Sequence, residues 1–111
     1  MFYKKNNKGY KTLAEGVKIK TLVYGDKTHL TEFQLKKGAS VVAHSHSHEQ
    51  TGYLVSGRMR LVIGEETYEV EPGDSWSIPG NVEHSGEILS DSIAVEVFSP
   101  LREDYLPGNE S

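Results

Sequence analysis

Residues 38–57 read GASVVAHSHSHEQTGYLVSG, and residues 73–84 read GDSWSIPGNVEH. Two histidines at alternate positions, His44 and His46, are followed by Gln50 and, further along the chain, by His84. The glycine and proline residues in both stretches are typical of tight turns between short strands. The pattern therefore indicates a small β protein that carries a cluster of nitrogen and oxygen donors.

Helix signals are nearly absent from the rest of the chain. Short runs rich in Val, Ile, Thr, Tyr and Leu recur, and Gly, Asp, Asn or Pro ends each of them. We predict strands over residues 17–24, 30–36, 40–44, 52–56, 58–63, 67–70, 75–78, 83–89 and 93–99. Such a series favours a β-sandwich or barrel, because two packed sheets bury one face of every strand. Closure into a jelly roll would also cover the exposed sheet edges.

Length and composition predict one ordinary domain. The 111 residues include 12 basic and 16 acidic side chains, so the net charge of −4 argues against a nucleic-acid partner. The absence of cysteine excludes disulfides and thiolate chemistry. No apolar run is long enough to span a membrane and no signal peptide is evident, so we expect a cytoplasmic protein without a membrane partner. We expect a single domain over 1–111, with a barrel core over about 15–100 and peripheral ends at 1–12 and 106–111.

The histidine pattern predicts a metal site. His44 and His46 project from the same side of one strand, since successive strand residues point to opposite faces. An antiparallel barrel can bring His84 opposite them, and Gln50 can add an amide oxygen. Imidazole ligands suit one divalent transition ion (Mn, Fe, Co, Ni or Zn) rather than Mg or Ca. The competing interpretation is a surface His/Ser loop or hydrogen-bonded core histidines.

Two further residues lie beside these candidate ligands. His48 is either an alternative ligand or a proton shuttle at the cavity mouth. The other interpretation is that His48 and Glu49 form a solvated loop pair.

Together the two stretches resemble the paired motifs of the cupin family. In the first motif Gly38, His44, His46 and Gly57 fall in register, while Gln50 stands where the family has Glu. In the second, Gly73, Pro79 and His84 match, and Asn81 replaces a glycine; Asn tolerates the same left-handed backbone geometry. The resemblance implies an all-β, single-domain jelly-roll barrel of two antiparallel sheets.

The presence of Gln50 where the family has Glu changes the charge of the predicted ligand set. Because an amide is neutral, the ion would keep its full charge of +2 and act as a stronger Lewis acid towards an anionic substrate. The same neutral ligand set is less suited to stabilising oxidised iron.

A second informative stretch, residues 94–106, reads AVEVFSPLREDYL. Alternation places Ala94, Glu96 and Phe98 on one face of a strand. Two registers are open: either Glu96 faces water or it faces the cavity. Alternation and composition alone favour the first.

This stretch, together with the pattern His-x-His-x-His-x-Gln and the run Tyr-Leu-Val-Ser-Gly-Arg, resembles small cupins of the KdgF type. Those proteins convert 4,5-unsaturated monouronates from pectin and alginate breakdown into linear keto acids. The resemblance implies metal ligation by His44, His46, Gln50 and His84. It also implies catalytic roles for Glu96, where relatives have Asp, and for Phe98 and Arg102. We expect Glu96 to move a proton, Arg102 to hold the substrate carboxylate and Phe98 to exclude water. The competing interpretation pairs Arg102 with Glu103 or Asp104 at the surface.

Other functions remain open on the same scaffold. The alternatives are a metal-dependent dioxygenase or another cupin metalloenzyme, and a small-ligand-binding cupin without turnover. We expect a small anionic substrate and a homodimer, because apolar residues on both faces of several strands need a covering layer. Trp76, Tyr53 and Met59 are taken as core residues by default, although they are also candidates for the cavity wall.

Overall fold

The computed structural model describes residues 1–107. Its eight strands are β1 (Lys11–Ala14), β2 (Val17–Tyr24), β3 (His29–Leu35), β4 (Ser40–His44), β5 (Glu49–Ile63), β6 (Glu66–Val70), β7 (Ser75–Ile78) and β8 (His84–Ser99). One short 3-10 helix, Glu103–Tyr105, follows the last strand. All strand pairs are antiparallel. These features confirm the prediction of an all-β jelly roll.

Two layers of strands enclose the core. Hydrogen bonding gives the order β1-β2-β3-β8-β5-β6, with β4 paired to β8 and β7 paired to β5. The second half of β8 pairs with β3, and its first half pairs with β4. The first half of β5 pairs with β7, and its second half pairs with β6. The two long strands therefore run through both layers and join them into one continuous sheet.

The sequence predicted four shorter strands where β5 and β8 stand. The register between β5 and β8 shifts at Leu54/Ser56, Ser56/Arg58 and Arg58/Met59, so the strands bend without ending. Gly57 lies at this bend with a φ of 95°. A Cβ atom at Gly57 would meet Ser92 Oγ at 2.1 Å and the Asp91 carbonyl oxygen at 2.4 Å. The glycine thus marks a corner inside a strand rather than a turn between two strands.

Gly57→Ala is expected to destabilise the protein by about 3 kcal/mol, because it adds both left-handed strain and a steric clash. Urea unfolding would show the loss as a lower midpoint with an unchanged m value. Gly25→Ala is the matched control, since a Cβ there meets nothing within 4 Å. Equal midpoints for the two variants would contradict this account of the corner.

The core lies between the layers and is apolar on its inner faces. Its buried cluster consists of Val17, Ile19, Phe33, Leu35, Leu54, Met59, Leu61, Val70, Ile88, Ala94 and Phe98. Most of these residues alternate along their strands with exposed or partly exposed ones, as a half-buried strand requires. Within residues 1–107, no helix has the length and apolar character needed to cross a membrane.

The N-terminal residues are attached to the barrel. Strand β1 begins at Lys11, inside the stretch expected to be peripheral, and pairs with β2. Lys20 donates to the carbonyl oxygen of Asn6 at 2.6 Å and to its side-chain oxygen at 2.8 Å, which ties residues before β1 to the sheet. At the other end, residues 108–111 of the expected peripheral tail lie outside the described residues.

Candidate functional site

Three histidines meet at one end of the barrel. His44 ends β4 and is the cross-strand neighbour of His84, which begins β8. His46 lies beyond the end of β4, in the connection to β5, so the prediction that both histidines project from one strand is wrong, although the two side chains do meet. One candidate ligand atom from each of the three lies within 4.8 Å of the others, which is close enough to share a metal ion. The antiparallel pairing of β4 with β8 is what brings the distant His84 to the His-x-His stretch.

Backbone carbonyls orient the three imidazole rings. The Nδ1–H groups of His44, His46 and His84 donate to the carbonyl oxygens of Val42, His48 and Val82 at 2.8, 2.9 and 2.9 Å. A carbonyl can only accept, so each Nδ1 carries the proton and each Nε2 is left with a free lone pair. This is the arrangement in which a second hydrogen bond holds a metal-ligating histidine.

Burial keeps His46 and His84 neutral. Loss of water lowers the pKa of both imidazoles, and the positive charge of Arg102 lowers them further. A nearby histidine also lowers each pKa: His84 in the case of His46, and His44 in the case of His84. Neutral imidazole is the form that binds a metal, so the lowered pKa values favour binding of a metal ion over binding of a proton.

Gln50 joins the histidine cluster to a carboxylate. Its side chain is buried, and its Nε2–H group donates to Glu96 Oε2. Among the described residues, four buried side-chain polar atoms have no hydrogen-bond partner: Nδ1 of His48, and three at this site, which are Gln50 Oε1 and the Nε2 atoms of His46 and His84. Buried polar atoms rarely stay unpaired, and a metal ion would satisfy all three at once. The residues present therefore fit a metal ion with nitrogen and oxygen ligands.

Glu96 faces the cavity. Its Oε2 atom accepts the Gln50 amide and also the indole N–H of Trp76 at 3.3 Å. Loss of water contact raises the pKa of Glu96 to about 7, although the two donors and the charge of Arg102 pull it down. The water-facing register that composition favoured is wrong, because the Glu96 carboxylate lines the cavity and accepts hydrogen bonds from Gln50 and Trp76. A carboxyl group with a pKa near neutrality is suited to both giving and taking a proton.

Gly52 makes room for the Trp76 indole beside Glu96. It is the cross-strand neighbour of both residues. A Cβ at Gly52 would lie 2.1–2.3 Å from three atoms of the indole ring. The missing side chain therefore lets Trp76 lie flat against β5 and point its N–H group at the carboxylate.

A cavity of about 250 Å³ runs from this end into the core. Its polar wall is formed by His44, Gln50, Trp76, His84, Glu96 and Arg102. Its remaining wall is apolar and includes Phe33, Leu61, Met59 and Phe98. Phe98 is almost fully buried and contacts the His46 ring, with a centroid separation of 6.0 Å. The residues implicated by the sequence thus lie in or beside one cavity.

Arg102 combines the two roles considered for it. Its Nε and Nη2 groups donate to the Asp104 carboxylate at 3.2 and 3.1 Å, which is the expected ion pair. The guanidinium nevertheless lines the cavity and stacks on Phe98 and Tyr105, with its central carbon 5.2 and 4.3 Å from the ring centroids. Asp104 meets only the Nε/Nη2 edge of the planar fork, so the edge that includes Nη1 is not engaged by this carboxylate.

Four other residues singled out from the sequence have mixed positions. Trp76 and Met59 line the cavity, and Met59 also belongs to the buried core. Tyr53 is 50% exposed, so its default assignment to the core is wrong; it lies on the outer face of β5. His48 is absent from the metal-competent cluster and contacts the Leu101 carbonyl oxygen through Nε2 at 3.2 Å.

Sequence reasoning missed His29. It is fully buried at the start of β3, pairs with Phe98 of β8, and accepts a hydrogen bond from the Arg102 backbone N–H at 3.2 Å. No motif singles it out, because its partners lie far away in the sequence. Alternation along β3, which buries residues 29, 31, 33 and 35, was the only available signal.

Replacing His29 by Asn should reduce the slope of the unfolding free energy against pH below pH 6.5, while the lowered pKa values of His46 and His84 keep part of that slope. Burial, and next the charge of Arg102, lower the pKa of His29 from 6.5, so the unfolded chain takes up this proton first. The contribution of the neutral His29 imidazole to the free energy of unfolding is complete above pH 6.5. It is lost as the pH falls below that value, at up to about 1.4 kcal/mol per pH unit. Urea unfolding at several pH values would measure it. Identical slopes for the wild type and His29→Asn would contradict the prediction.

Comparison with known proteins places these features in a family. The family model described as "Cupin domain" matches residues 31–99. The pectin degradation protein KdgF of Dickeya dadantii is 29% identical over 99 residues, covering 87% of this chain and 90% of that protein.

Two solved structures are similar to the whole barrel. KdgF from a Halomonas species superposes with a TM-score of 0.85 at 27% identity, covering 89% of this chain and 94% of that one. An RmlC-like cupin from Shewanella frigidimarina gives a TM-score of 0.83 at 27% identity, covering 87% of each chain. With its histidine cluster, its corner at Gly57 and these matches, the chain belongs to the cupin family and is a KdgF-like member of it.

Proposed function

We propose that the protein is a metal-dependent enzyme that opens the ring of a 4,5-unsaturated monouronate to give a linear keto acid. Similarity to a pectin degradation protein supports the substrate class. The site supports the chemistry, because two histidines of the metal-competent cluster, a carboxyl group and a guanidinium line one cavity. The reaction is an isomerisation and needs no co-reactant.

We assign the metal to His44, His46, Gln50 and His84. The carbonyl-oriented imidazoles and the unpartnered Gln50 oxygen support this set. A divalent transition ion held there would supply a Lewis acid that stabilises negative charge on substrate oxygens. All four ligands are neutral, so its charge would be fully available to an anion.

Glu96 is the proposed proton carrier. In the substrate, the ring oxygen is shared between the hemiacetal carbon and a carbon–carbon double bond next to the carboxylate. When the bond from the hemiacetal carbon to the ring oxygen breaks, the hemiacetal hydroxyl loses its proton and becomes an aldehyde, while the ring oxygen becomes an enol oxygen. Protonation of the far alkene carbon, with loss of the enol proton, then gives the ketone. A carboxyl group with a pKa of about 7 can take up one proton and deliver the other.

Arg102 and Phe98 are proposed to bind and enclose the substrate. The Nη1 edge of Arg102 can donate to the substrate carboxylate, while Asp104 holds the opposite edge in place. Phe98 lies under the guanidinium and beside His46, where its ring excludes water from the reacting atoms.

A single observation carries this proposal. The Gln50 amide donates its N–H to the Glu96 carboxylate and keeps its oxygen unpartnered beside the histidines. One side chain thus links the metal-competent cluster to the candidate proton carrier. A glutamate at position 50 would instead place two carboxylates in contact, so the departure from the family motif suits this particular partner.

The experiment is a turnover assay on protein loaded in turn with Mn, Fe, Co, Ni or Zn. Freshly made unsaturated galacturonate or mannuronate is added, and the loss of double-bond absorbance is followed. We expect faster loss that requires a bound metal. No acceleration by any metal in demonstrably loaded protein would refute the proposal, and metal-dependent oxygen uptake would indicate a dioxygenase instead.

We also propose that the chain forms a homodimer through the outer face of β5 and β8. Tyr53 and Val55 are 50% and 47% exposed on this face, and Tyr53 is the cross-strand neighbour of Val95. A mass measurement by light scattering should give twice the mass of one chain, and Val55→Glu should halve it. A monomeric wild type would contradict the proposal.

A further inference from the structure

His29 stands apart from the metal cluster yet touches the segment that carries Arg102. The imidazole is fully buried. Its Nδ1 atom contacts the Arg102 backbone N–H at 3.2 Å, and its Nε2 atom contacts Thr21 Oγ1 at 2.8 Å. Thr21 Oγ1 in turn donates to the Tyr105 carbonyl oxygen at 2.7 Å. Two side chains from β2 and β3 therefore contact both ends of the turn that follows β8.

The donor and acceptor of each hydrogen bond in this network of His29, Thr21, Arg102 and Tyr105 can be assigned. A backbone N–H can only donate, so His29 Nδ1 is the acceptor and the ring proton is on Nε2. That proton is donated to Thr21 Oγ1, whose own hydrogen is donated to the Tyr105 carbonyl. Each donor has one acceptor, and the set is complete only with a neutral imidazole that presents an acceptor at Nδ1.

The secured turn positions the guanidinium of Arg102. From residue 102 the side chain reaches back over Phe98 and lies against Tyr105. Lys11 of β1 adds a further contact to the turn, donating from Nζ to the Asp104 carbonyl oxygen at 3.1 Å. Arg102 lies just beyond the last strand, where the sheet ladder no longer holds the backbone. The contacts to Arg102 N and Tyr105 O tie both ends of this turn to β2 and β3, in addition to the contacts of Lys11 with Asp104 and of His48 with Leu101.

We propose that His29 is a positioning residue that fixes Arg102 at the cavity wall and thereby sets the affinity of the site for an anionic substrate. A buried histidine with a purely structural role would be replaceable by any residue that fills its volume. This histidine instead supplies an acceptor at one particular atom to the residue whose side chain lines the cavity. The consequence for affinity rests on the proposed function, whereas the fixing of the turn does not.

Three variants test the inference. His29→Leu fills the space without polar atoms, and His29→Asn keeps an acceptor close to the position of Nδ1. Ser92→Ala is the control, because Ser92 is also buried and hydrogen-bonded but lies at the far bend, beside Arg58 and Ser90. Metal content and urea midpoint are measured for each protein, so that loss of fold is recognised.

The first readout is amide hydrogen exchange in the metal-loaded protein. We expect His29→Leu to exchange the amides of residues 102–106 at least about tenfold faster than the wild type, with β8 unchanged. His29→Asn should restore protection of the Arg102 amide. Unchanged protection in His29→Leu, or no difference between the two substitutions, would overturn the inference.

The second readout is steady-state kinetics on the unsaturated monouronate. We expect His29→Leu to raise KM by about tenfold, His29→Asn to recover most of that loss, and Ser92→Ala to leave KM at the wild-type value. A wild type that turns over with an unchanged KM in His29→Leu would sink the claim on affinity. A wild type without turnover refutes the proposed function alone, and the exchange experiment then decides whether His29 holds the turn.

Discussion

Replacing His46 by alanine is expected to leave the protein without a stoichiometric metal ion and at least about a thousandfold less active. Removing one imidazole from a set of three breaks the cluster, and several kcal/mol of charge stabilisation would be lost with the ion. The change should do little to the fold, because His46 lies in a connection between strands and is only partly buried. Metal analysis after gel filtration, together with the absorbance assay, would measure both losses.

His48→Ala is the matched control for this experiment. His48 lies two residues away, but its Nε2 atom contacts a backbone carbonyl and it does not belong to the metal-competent cluster. We expect this variant to retain one ion per chain. Equal metal loss in the two variants would show that His48 is a ligand, and full metal retention in His46→Ala would remove His46 from the site.

The histidine cluster could be predicted because it depends mainly on short spacings in the sequence. The short spacing between His44 and His46 keeps the two side chains together even though β4 ends at His44, and a turn-rich all-β chain has few ways to place His84. Asn81 illustrates the same point: it adopts a φ of 67°, the left-handed geometry expected where the family has glycine. Ligand spacing and turn conformation depend on residues that are close together in the sequence, so both can be predicted from the sequence.

The register of Glu96 could not be read from the sequence in the same way. Alternation states only that Glu96 and Val95 face opposite sides of the sheet. Burying a valine costs less free energy than burying a carboxylate, so the sequence favoured the water-facing register for Glu96. The structure reverses this preference because Gln50, Trp76 and Gly52 supply two donors and the space for them. That compensation depends on three strands brought together by the fold, which no local pattern records.

The same limit applies to the bend at Gly57 and to His29. A glycine between two β-rich runs looks like a turn, and only the pairing of β5 with β8 on both sides reveals a bent continuous strand. His29 meets Arg102 across 73 residues of sequence. Both features come from tertiary contacts, so they follow from the fold and do not predict it.

The coupling of Gln50 to Glu96 leads to the second large effect. Glu96→Gln should lower kcat by about a hundred- to ten-thousandfold, the usual contribution of a general acid or base, while metal content stays unchanged. The substitution keeps the volume, and the new amide oxygen can still accept hydrogen bonds from Gln50 and Trp76. What it removes is the group that exchanges a proton near neutral pH. Rapid-mixing absorbance measurements with parallel metal analysis would separate the two effects.

Glu96→Asp tests the same role by keeping the carboxyl group and changing only its position. It keeps a carboxyl group but shortens its reach by one methylene, and Asp is the residue that the resemblance to KdgF-type cupins implies at this position. If proton transfer is the role, this variant should retain far more activity than Glu96→Gln, because the chemistry is preserved and only the distance changes. If both variants are equally active, Glu96 serves only to orient Gln50 and the proton must come from elsewhere. If both lose their metal, the carboxylate is needed to hold the Gln50 amide towards the histidines, and the loss of rate would then be a loss of the ion.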